Sequence, residues 1–247
     1  MKIYYGAGHG KNTPGKRSPD GEAEWNFNNE VAVAFAKQMK KYKGVTVHRT
    51  DDPTGKTDVP LTERTNKANR ANADFYISFH HNAYKNHWGD WTGVETYYYK
   101  TSTQGRQLAH VIQQALVKAY NLKDRGIKTN NLHITRETKM PAVLVEGGFM
   151  DSIIDIKKLR NKKILQQAGK QIAQAIASHF QLTKTKNSPA KSQTKPSSNS
   201  LTVDGYLGPE TIKALQRYFK TPVDGYFSKP SVVIKALQRF LGTPVDG

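Results

Sequence analysis

The sequence predicts an α/β protein with a mostly parallel, twisted sheet flanked by helices, followed by a small helical repeat region at the C-terminus. Two observations support this fold class. Short β-branched or aromatic runs alternate with amphipathic helical patterns as far as residue 180, and alternation of this kind favours a parallel sheet. After Leu182 the apolar periodicity stops, and a repeated unit follows a polar segment.

The strands and helices can be placed in chain order. Runs rich in β-branched and aromatic residues predict strands at 2–7, 45–49, 74–79, 93–99 and 142–146. Apolar residues at helical spacing predict helices at 25–41, 61–71 and 104–119. A last amphipathic helix at 162–180 is expected to pack against the sheet and close the domain.

Composition shifts divide the chain into three parts. We expect a folded α/β domain at 1–182, a flexible linker of Ser, Thr, Lys, Asn and Pro at 183–200, and repeats at 201–247. The repeats read VDGYLGPETIKALQRYFKTP at 203–222 and VDGYFSKPSVVIKALQRFLGTP at 223–244. The final VDG at 245–247 has the form of a third copy, so we expect the natural polypeptide to continue.

Composition also limits the chemistry. With no cysteine, a metal site must use His, Asp, Glu and water. The formal charge of +18 predicts a polyanionic partner or an anionic surface, which nucleic acid or a bacterial wall would both satisfy. No run is long enough to cross a bilayer, so membrane insertion is not expected, and the opening MKIYYGAGHG shows no signal-peptide pattern.

Three polar residues lie where predicted strands end or helices begin, the usual place for active groups in an α/β sheet. His9 lies in the glycine turn GAGHG, Glu24 opens the first helix, and His80 follows the strand DFYISF. His9 has a simpler explanation as a loop histidine, and Glu24 has one in the favourable helix dipole, for which Glu22 competes with it. His80 is harder to explain as packing, because a polar pair ends an otherwise buried strand. His81 should point to the opposite face.

Together, two imidazoles and one carboxylate suit a catalytic zinc with a fourth position open for water. The water would need a base. Glu146 is the candidate, because the apolar strand AVLVE has little reason to end in a carboxylate. A cap or a salt bridge would also explain Glu146 taken alone.

Several motifs, in order, resemble the zinc amidases of the amidase-3 family, found among bacterial autolysins and phage endolysins. The matching stretches span most of residues 1–180: GHG at 8–10, Glu24 with Asn28 and Ala32, HRTDD at 48–52, LTERTNKAN at 61–69, SFHHNA at 78–83 and ETKMPAVLVEGGFMD at 137–151. The resemblance implies one zinc held by His9, Glu24 and His80, with Glu146 assisting the bound water. His80 is assigned because it occupies the S-x-H-x-N position; binding through His81 would require a different strand register.

The activity implied by this resemblance is hydrolysis of the amide bond between the lactyl group of N-acetylmuramic acid and L-alanine of the peptidoglycan stem peptide. The two C-terminal repeats resemble peptidoglycan-binding repeats, with a small helical dimerisation module as the alternative. Peptidoglycan and its anionic wall polymers are therefore the expected partners. We expect the protein to be made in the cytoplasm of the host bacterium and to act on the wall after release. This route is that of a phage endolysin or a mother-cell lytic enzyme, and we expect it more than that of a secreted autolysin.

Three other readings explain less of the sequence. A pure binding protein would leave His9, Glu24, His80 and Glu146 without a role. Nucleic-acid binding is not expected, because no zinc knuckle, helix-turn-helix or RNP signature accompanies the charge. A glycosidase using Glu24 and Glu146 as paired carboxylates would give the histidines no function.

Overall fold

The computed structural model describes residues 1–185, 208–227 and 230–246. The chain divides into two compact units, Met1–Ser188 and Pro189–Gly247. Residues 183–185, the start of the predicted linker, belong to the first unit, because Thr183 and Thr185 hydrogen-bond to the backbone of Lys43 and Lys41. The remainder of that linker and the first repeat's VDGY lie outside the described residues, so the domain boundaries stay predictions.

The first unit is an α/β layer structure around a six-stranded sheet with strand order β2-β1-β3-β6-β4-β5. Its strands are β1 (Lys2–Ala7), β2 (Thr46–Arg49), β3 (Phe75–Asn82), β4 (Val94–Tyr98), β5 (Asp124–Thr129) and β6 (Ala142–Phe149). Its helices are α1 (Glu24–Met39), α2 (Leu61–Arg70), α3 (Thr103–Tyr120), α4 (His133–Glu137), α5 (Ile156–Leu159) and α6 (Lys162–His179).

The mostly parallel sheet is confirmed, with one antiparallel junction. Strands β2, β1, β3 and β6 run parallel, β4 pairs with β6 in the antiparallel sense, and β5 is parallel to β4. Strand β5, with the sequence DRGIKT, was not predicted, because an edge strand of charged residues around a glycine shows no apolar alternation. The short helices α4 and α5 were also not predicted.

Helices cover both faces of the sheet. On one face α1, α3 and α6 bury the main core, which includes Ile3, Phe35, Phe75, Ile112 and Ile172. Helices α1 and α6 approach closely at Gly169, where an added Cβ would lie 2.2 Å from the carbonyl oxygen of Val31. On the other face α2 and α4 cover a smaller cluster that contains Tyr4, Tyr76 and Ile134. This second layer leaves the carboxyl ends of β1, β3 and β6 open beside it.

The described part of the second unit holds two helices, α7 (Pro209–Tyr218) and α8 (Val232–Leu241). The Gln216 side chain binds the following VDG turn: its Nε2 donates to Asp224 Oδ1 (2.6 Å), and its Oε1 accepts from the N–H of Gly225 (2.9 Å). In the second copy, Gln238 Nε2 donates to Asp246 Oδ1 (2.5 Å) in the same manner. In both copies the aspartate of the VDG motif therefore accepts a hydrogen bond from the glutamine of the helix before it.

Among the described residues, the helices are all too short or too polar to traverse a bilayer.

Candidate metal centre

The loop after β1 brings His9 against His80. Gly8 donates its N–H to the carbonyl of Phe79 (2.8 Å), which places the loop beside the end of β3. A Cβ on Gly8 would lie 2.0 Å from His80 Cε1, so only glycine leaves room for the imidazole. His9 itself adopts a left-handed backbone conformation with φ of 63°. The two imidazole rings meet edge to face with centroids 5.0 Å apart.

A buried arginine holds this loop in place. Arg64, on α2, is only 2% exposed and donates hydrogen bonds to the carbonyls of Ala7 (2.6 Å) and His9 (3.3 Å). It also pairs with Asp58 at 3.2 Å. Its role was not predicted, although its position one turn before the buried Ala68 places it on the packed side of the helix.

Glu24 lies at the centre of the cluster. It is the first residue of α1 and is buried, with Oε2 3.4 Å from His9 Nε2 and Oε1 3.1 Å from His80 Nδ1. Asn28, one turn further along α1, donates from Nδ2 to Glu24 Oε1 and to the carbonyl of Gly8, both at 3.1 Å. The competing Glu22 is instead a surface residue paired with Arg160.

The structure separates the two adjacent histidines. His80 lies within β3, which runs two residues beyond it, and its Nε2 contacts Ser78 Oγ at 3.0 Å. This leaves His80 Nδ1 facing Glu24. His81 points to the other face, as expected, where it is buried with Nδ1 2.7 Å from Asn28 Oδ1 and Nε2 3.0 Å from Tyr120 Oη.

The predicted ligand set is therefore brought together in space. One ligand atom each from His9, Glu24 and His80 lies within 4.8 Å of the other two, close enough to share a metal ion. Burial lowers the pKa of His9 to about 4, which keeps its imidazole neutral near pH 7. Burial also opposes ionisation of Glu24, but the hydrogen bond and charge of His80 and the charge of His9 outweigh it, so the pKa of Glu24 falls to about 2. Neutral imidazoles and an ionised carboxylate are the forms that bind metal cations.

Glu146 lies on β6, directly opposite His80 in the parallel pairing with β3. It is half-buried, and its Oε2 atom is shielded from water and has no hydrogen-bond partner among the described residues. Burial, followed by the negative charges of Glu24 and Glu95, raises the pKa of Glu146 well above its ordinary value. A carboxylate with a free, buried oxygen and a raised pKa is suited to accepting and releasing a proton.

A second carboxylate nearby was not predicted. Glu95 on β4 pairs in register with Glu146 and is only 2% exposed. It accepts hydrogen bonds from Arg125 (2.7 Å), Lys128 (2.5 Å), Tyr97 Oη (2.6 Å) and Asn82 Nδ2 (3.0 Å). The sequence GVETYYY predicts a strand but does not show whether its glutamate is buried or exposed. The two cations that pair with Glu95, Arg125 and Lys128, lie on β5, which was not predicted.

All four predicted residues line one cleft of about 390 Å³ at the carboxyl ends of β1, β3 and β6. Asn82, Tyr97 and His133 also line this cleft, and none of them was predicted. An α/β fold that brings two imidazoles, a carboxylate able to share a metal ion with them and a separate buried carboxylate into one cleft is an arrangement typical of hydrolases.

Comparisons with known proteins identify the family. Residues 3–178 match the family model described as N-acetylmuramoyl-L-alanine amidase, so the chain belongs to this family. The amidase CwlM of Bacillus licheniformis is 36% identical over 191 residues, covering 74% of this chain and 70% of that protein. The endolysin of Bacillus phage SPP1 is 34% identical over 208 residues, covering 79% and 72%. A crystal structure of N-acetylmuramoyl-L-alanine amidase from Clostridium difficile 630 is 33% identical with a TM-score of 0.67, covering 73% and 97%. The predicted amidase activity on peptidoglycan is thereby confirmed.

Proposed function

We propose that this amidase is zinc-dependent, with a single zinc ion held by His9 Nε2, Glu24 and His80 Nδ1, and with Glu146 as the catalytic residue. The proposal rests on the convergence of these three ligand atoms within 4.8 Å, beside a carboxylate whose buried Oε2 atom has no hydrogen-bond partner among the described residues. Two imidazoles and one carboxylate fit zinc better than calcium or magnesium, which prefer oxygen ligands. The absence of cysteine agrees with a hydrolytic site of this kind.

Zinc bound there would polarise the scissile carbonyl and lower the pKa of a coordinated water. The protein residues supply the rest. Glu146 accepts the proton from the attacking water as the new C–O bond forms, and then passes it to the amide nitrogen, so that the C–N bond breaks and L-alanine leaves as a neutral amine. Ser78 holds His80 Nε2 and thereby orients the other ring nitrogen towards Glu24.

The test follows release of free amines from purified Gram-positive cell walls. We expect new N-terminal alanine from the protein as isolated, none after chelation, and recovery when zinc is restored. Glu146→Gln should bind zinc normally but lose turnover by roughly a hundredfold or more. Glu22→Gln is the matched control, because this carboxylate pairs with Arg160 at the surface and should leave turnover unchanged. Reducing sugar in place of alanine amines would support a glycosidase and refute the proposal.

We further propose that the repeats bind peptidoglycan or its anionic polymers. The described repeat residues support a surface role, because Tyr218, Tyr226 and Phe240 are all more than 60% exposed. Sedimentation with walls at increasing salt tests this proposal: removal of residues 208–247 should abolish co-sedimentation of the metal-free protein. Equal sedimentation of the shortened and full chains would contradict it.

We also propose that the protein is made in the cytoplasm of the host bacterium and reaches the wall after release, as a phage endolysin does. The similarity to the endolysin of phage SPP1 supports this route. Cells that accumulate the protein should remain intact until their membrane is permeabilised and should then lyse. Lysis before permeabilisation would contradict it.

A further inference from the structure

An aromatic loop at residues 83–92, here called the rim loop, joins β3 to β4 beside the cleft. Asn82 and Ala83 line the cleft, and the rim loop continues outward from them. Its aromatic side chains are unusually accessible, since Tyr84 is 65% exposed and Trp88 is 37% exposed. Exposed aromatic residues that continue from a substrate cleft mark a binding surface more often than a packing defect.

The rim loop is held rigidly by one buried carboxylate. Asp151, which is fully buried, accepts at Oδ2 the backbone N–H groups of Tyr84 (2.8 Å), Lys85 (2.9 Å) and Asn86 (3.0 Å). Its Oδ1 accepts the indole N–H of Trp91 at 2.8 Å. The three backbone bonds fix the start of the rim loop and the indole bond fixes the Trp91 side chain, so the exposure of Tyr84 does not come from a loose segment.

The contacts inside the rim loop show which aromatic rings anchor it and which remain available. Trp91 packs edge to face against Tyr84, with ring centroids 5.3 Å apart, and its indole is tied to Asp151. Gly89 allows this packing, because an added Cβ would lie 2.0 Å from the Trp91 ring. Trp91 is therefore the anchor, while Tyr84 is largely exposed and Trp88 is partly exposed. Lys85 Nζ lies 5.2 Å from the Tyr84 ring centroid and Arg160 Cζ lies 5.9 Å from that of Trp88, so each of these rings has a cationic side chain beside it.

The apolar surface extends beyond the loop itself. Ile153 donates its backbone N–H to the carbonyl of Gly89 at 2.9 Å, and its side chain is 49% exposed. Polar and cationic side chains, including the exposed Lys85, Asn86 and His87, lie among the aromatic rings. A surface that alternates flat apolar faces with hydrogen-bonding groups matches a sugar ring, which has apolar C–H faces and a polar edge of hydroxyl and acetamido groups.

We propose that Tyr84 and Trp88 form a glycan subsite, which stacks against sugar rings next to the muramic acid whose amide bond is cut. This inference rests on the proposed function and names the part of the substrate that the rim loop recognises. The loop continues directly from the cleft at Ala83, so a glycan strand whose muramoyl group reaches Glu146 has its neighbouring sugars within reach of this surface.

The experiment compares two soluble substrates with the same scissile bond. One is a tetrasaccharide that carries stem peptides, and the other is a muramoyl dipeptide with a single sugar. Tyr84→Ala and Trp88→Ala are assayed in the full chain with zinc, alongside the conservative Tyr84→Phe and Trp88→Phe. Phe180→Ala is the matched control, because Phe180 is 38% exposed and does not line the cleft.

Each alanine variant should raise KM for the tetrasaccharide by roughly tenfold, the loss expected for one stacking contact, with kcat unchanged. Kinetics on the muramoyl dipeptide should stay at the wild-type level, and the phenylalanine variants should recover most of the tetrasaccharide affinity. An unchanged KM for the tetrasaccharide, an equal loss on both substrates, or the same loss in Phe180→Ala would overturn the glycan subsite.

A second measurement uses only the wild-type protein, so it tests the glycan subsite even if a variant fails to fold. Chitotetraose, a glycan without stem peptides, should inhibit hydrolysis of the tetrasaccharide by the wild-type protein. It should not inhibit hydrolysis of the muramoyl dipeptide. No competition on the tetrasaccharide would overturn the inference without any variant. Failure of the proposed function looks different, since the wild-type protein would then release no alanine amine from either substrate.

Discussion

Substitution of Gly8 by alanine tests how the glycine turn builds the metal centre. The new Cβ would lie 2.0 Å from His80 Cε1 and 2.3 Å from Nδ1, the nitrogen that faces Glu24. Ordinary contact begins near 3.4 Å, so the imidazole or the loop must move by about 1.4 Å. Either movement separates His80 from His9 and Glu24.

The expected loss is large because ligand geometry is strict. A displacement of about 1 Å in a reacting group commonly costs roughly a hundredfold in rate, and we expect Gly8→Ala to lose at least that much in both zinc affinity and amide hydrolysis. Zinc affinity is measured by competition with a chromophoric chelator, and hydrolysis by alanine-amine release. Thermal unfolding of the chelated protein separates a local effect from a general loss of stability.

Gly15→Ala is the control, because Gly15 also lines the cleft but has no heavy atom within 4 Å of an added Cβ. Its positive φ of 69° should cost about 1 kcal/mol of stability while zinc affinity stays unchanged. If Gly8→Ala bound zinc as tightly as the wild type and retained at least half of its turnover, the reasoning from the Gly8–His80 contact would be refuted.

Three further predictions follow from the contacts around the centre. Ser78→Ala removes the hydrogen bond to His80 Nε2 and should weaken zinc binding by roughly 10- to 100-fold; unchanged affinity in the chelator competition would show that Ser78 does not orient the ring. Arg64→Met leaves the carbonyls of Ala7 and His9 without their donor and should lower the free energy of unfolding by about 3 kcal/mol; a loss below about 1 kcal/mol in urea titrations would contradict this role. Burial lowers the pKa of His9 to about 4 and that of His81 to about 3, from an ordinary value of 6.5. The folded state therefore keeps both imidazoles neutral, and the stability this confers is complete above pH 6.5 and is lost as the pH falls. The raised pKa of Glu146 acts in the opposite sense, because this carboxyl takes up a proton in the folded state as the pH falls. In the chelated Glu146→Gln variant, which removes that contribution, stability should fall by roughly 2 kcal/mol per histidine between about pH 7.5 and 5, and a flat profile would contradict the lowered pKa values of the two histidines.

Much of the first unit could be predicted from local pattern, because its strands and long helices carry strong periodicity. Strands β3 and β6 are apolar enough to be recognised, and the polar residues at their carboxyl ends stand out for that reason. The ends themselves were misplaced: β3 runs through His80 to Asn82, and β6 through Glu146 to Phe149. Polar residues at an active site still pair their backbone, so a change in side-chain polarity does not mark where a strand stops.

The residues that escaped prediction act through partners distant in sequence. Arg64 stabilises a loop more than fifty positions away, and Asp151 fixes the rim loop from beyond β6. Glu95 can be buried as an ionised carboxylate because β5 supplies Arg125 and Lys128 as ion-pair partners. A single charged residue in a sequence is most simply expected to be exposed to solvent. Whether it is instead buried in an ion pair depends on the strand order, which local periodicity does not show.

Strand order also explains why three carboxylates in and beside the cleft have different roles. Glu24 enters from a helix N-terminus, between two imidazoles that favour its ionised form. Glu95 lies on the antiparallel strand β4 and pairs with Arg125 and Lys128, so it stays ionised while its oxygens are engaged in ion pairs and hydrogen bonds. Glu146 lies on β6 opposite His80 and Glu95 and forms no ion pair among the described residues. The charges of Glu24 and Glu95 add to the effect of burial and raise its pKa, against a smaller opposing effect of Lys16. The antiparallel insertion of β4 therefore matters for the chemistry, because it places a fixed negative charge beside Glu146 and leaves that residue as the carboxyl group in the cleft best able to exchange a proton.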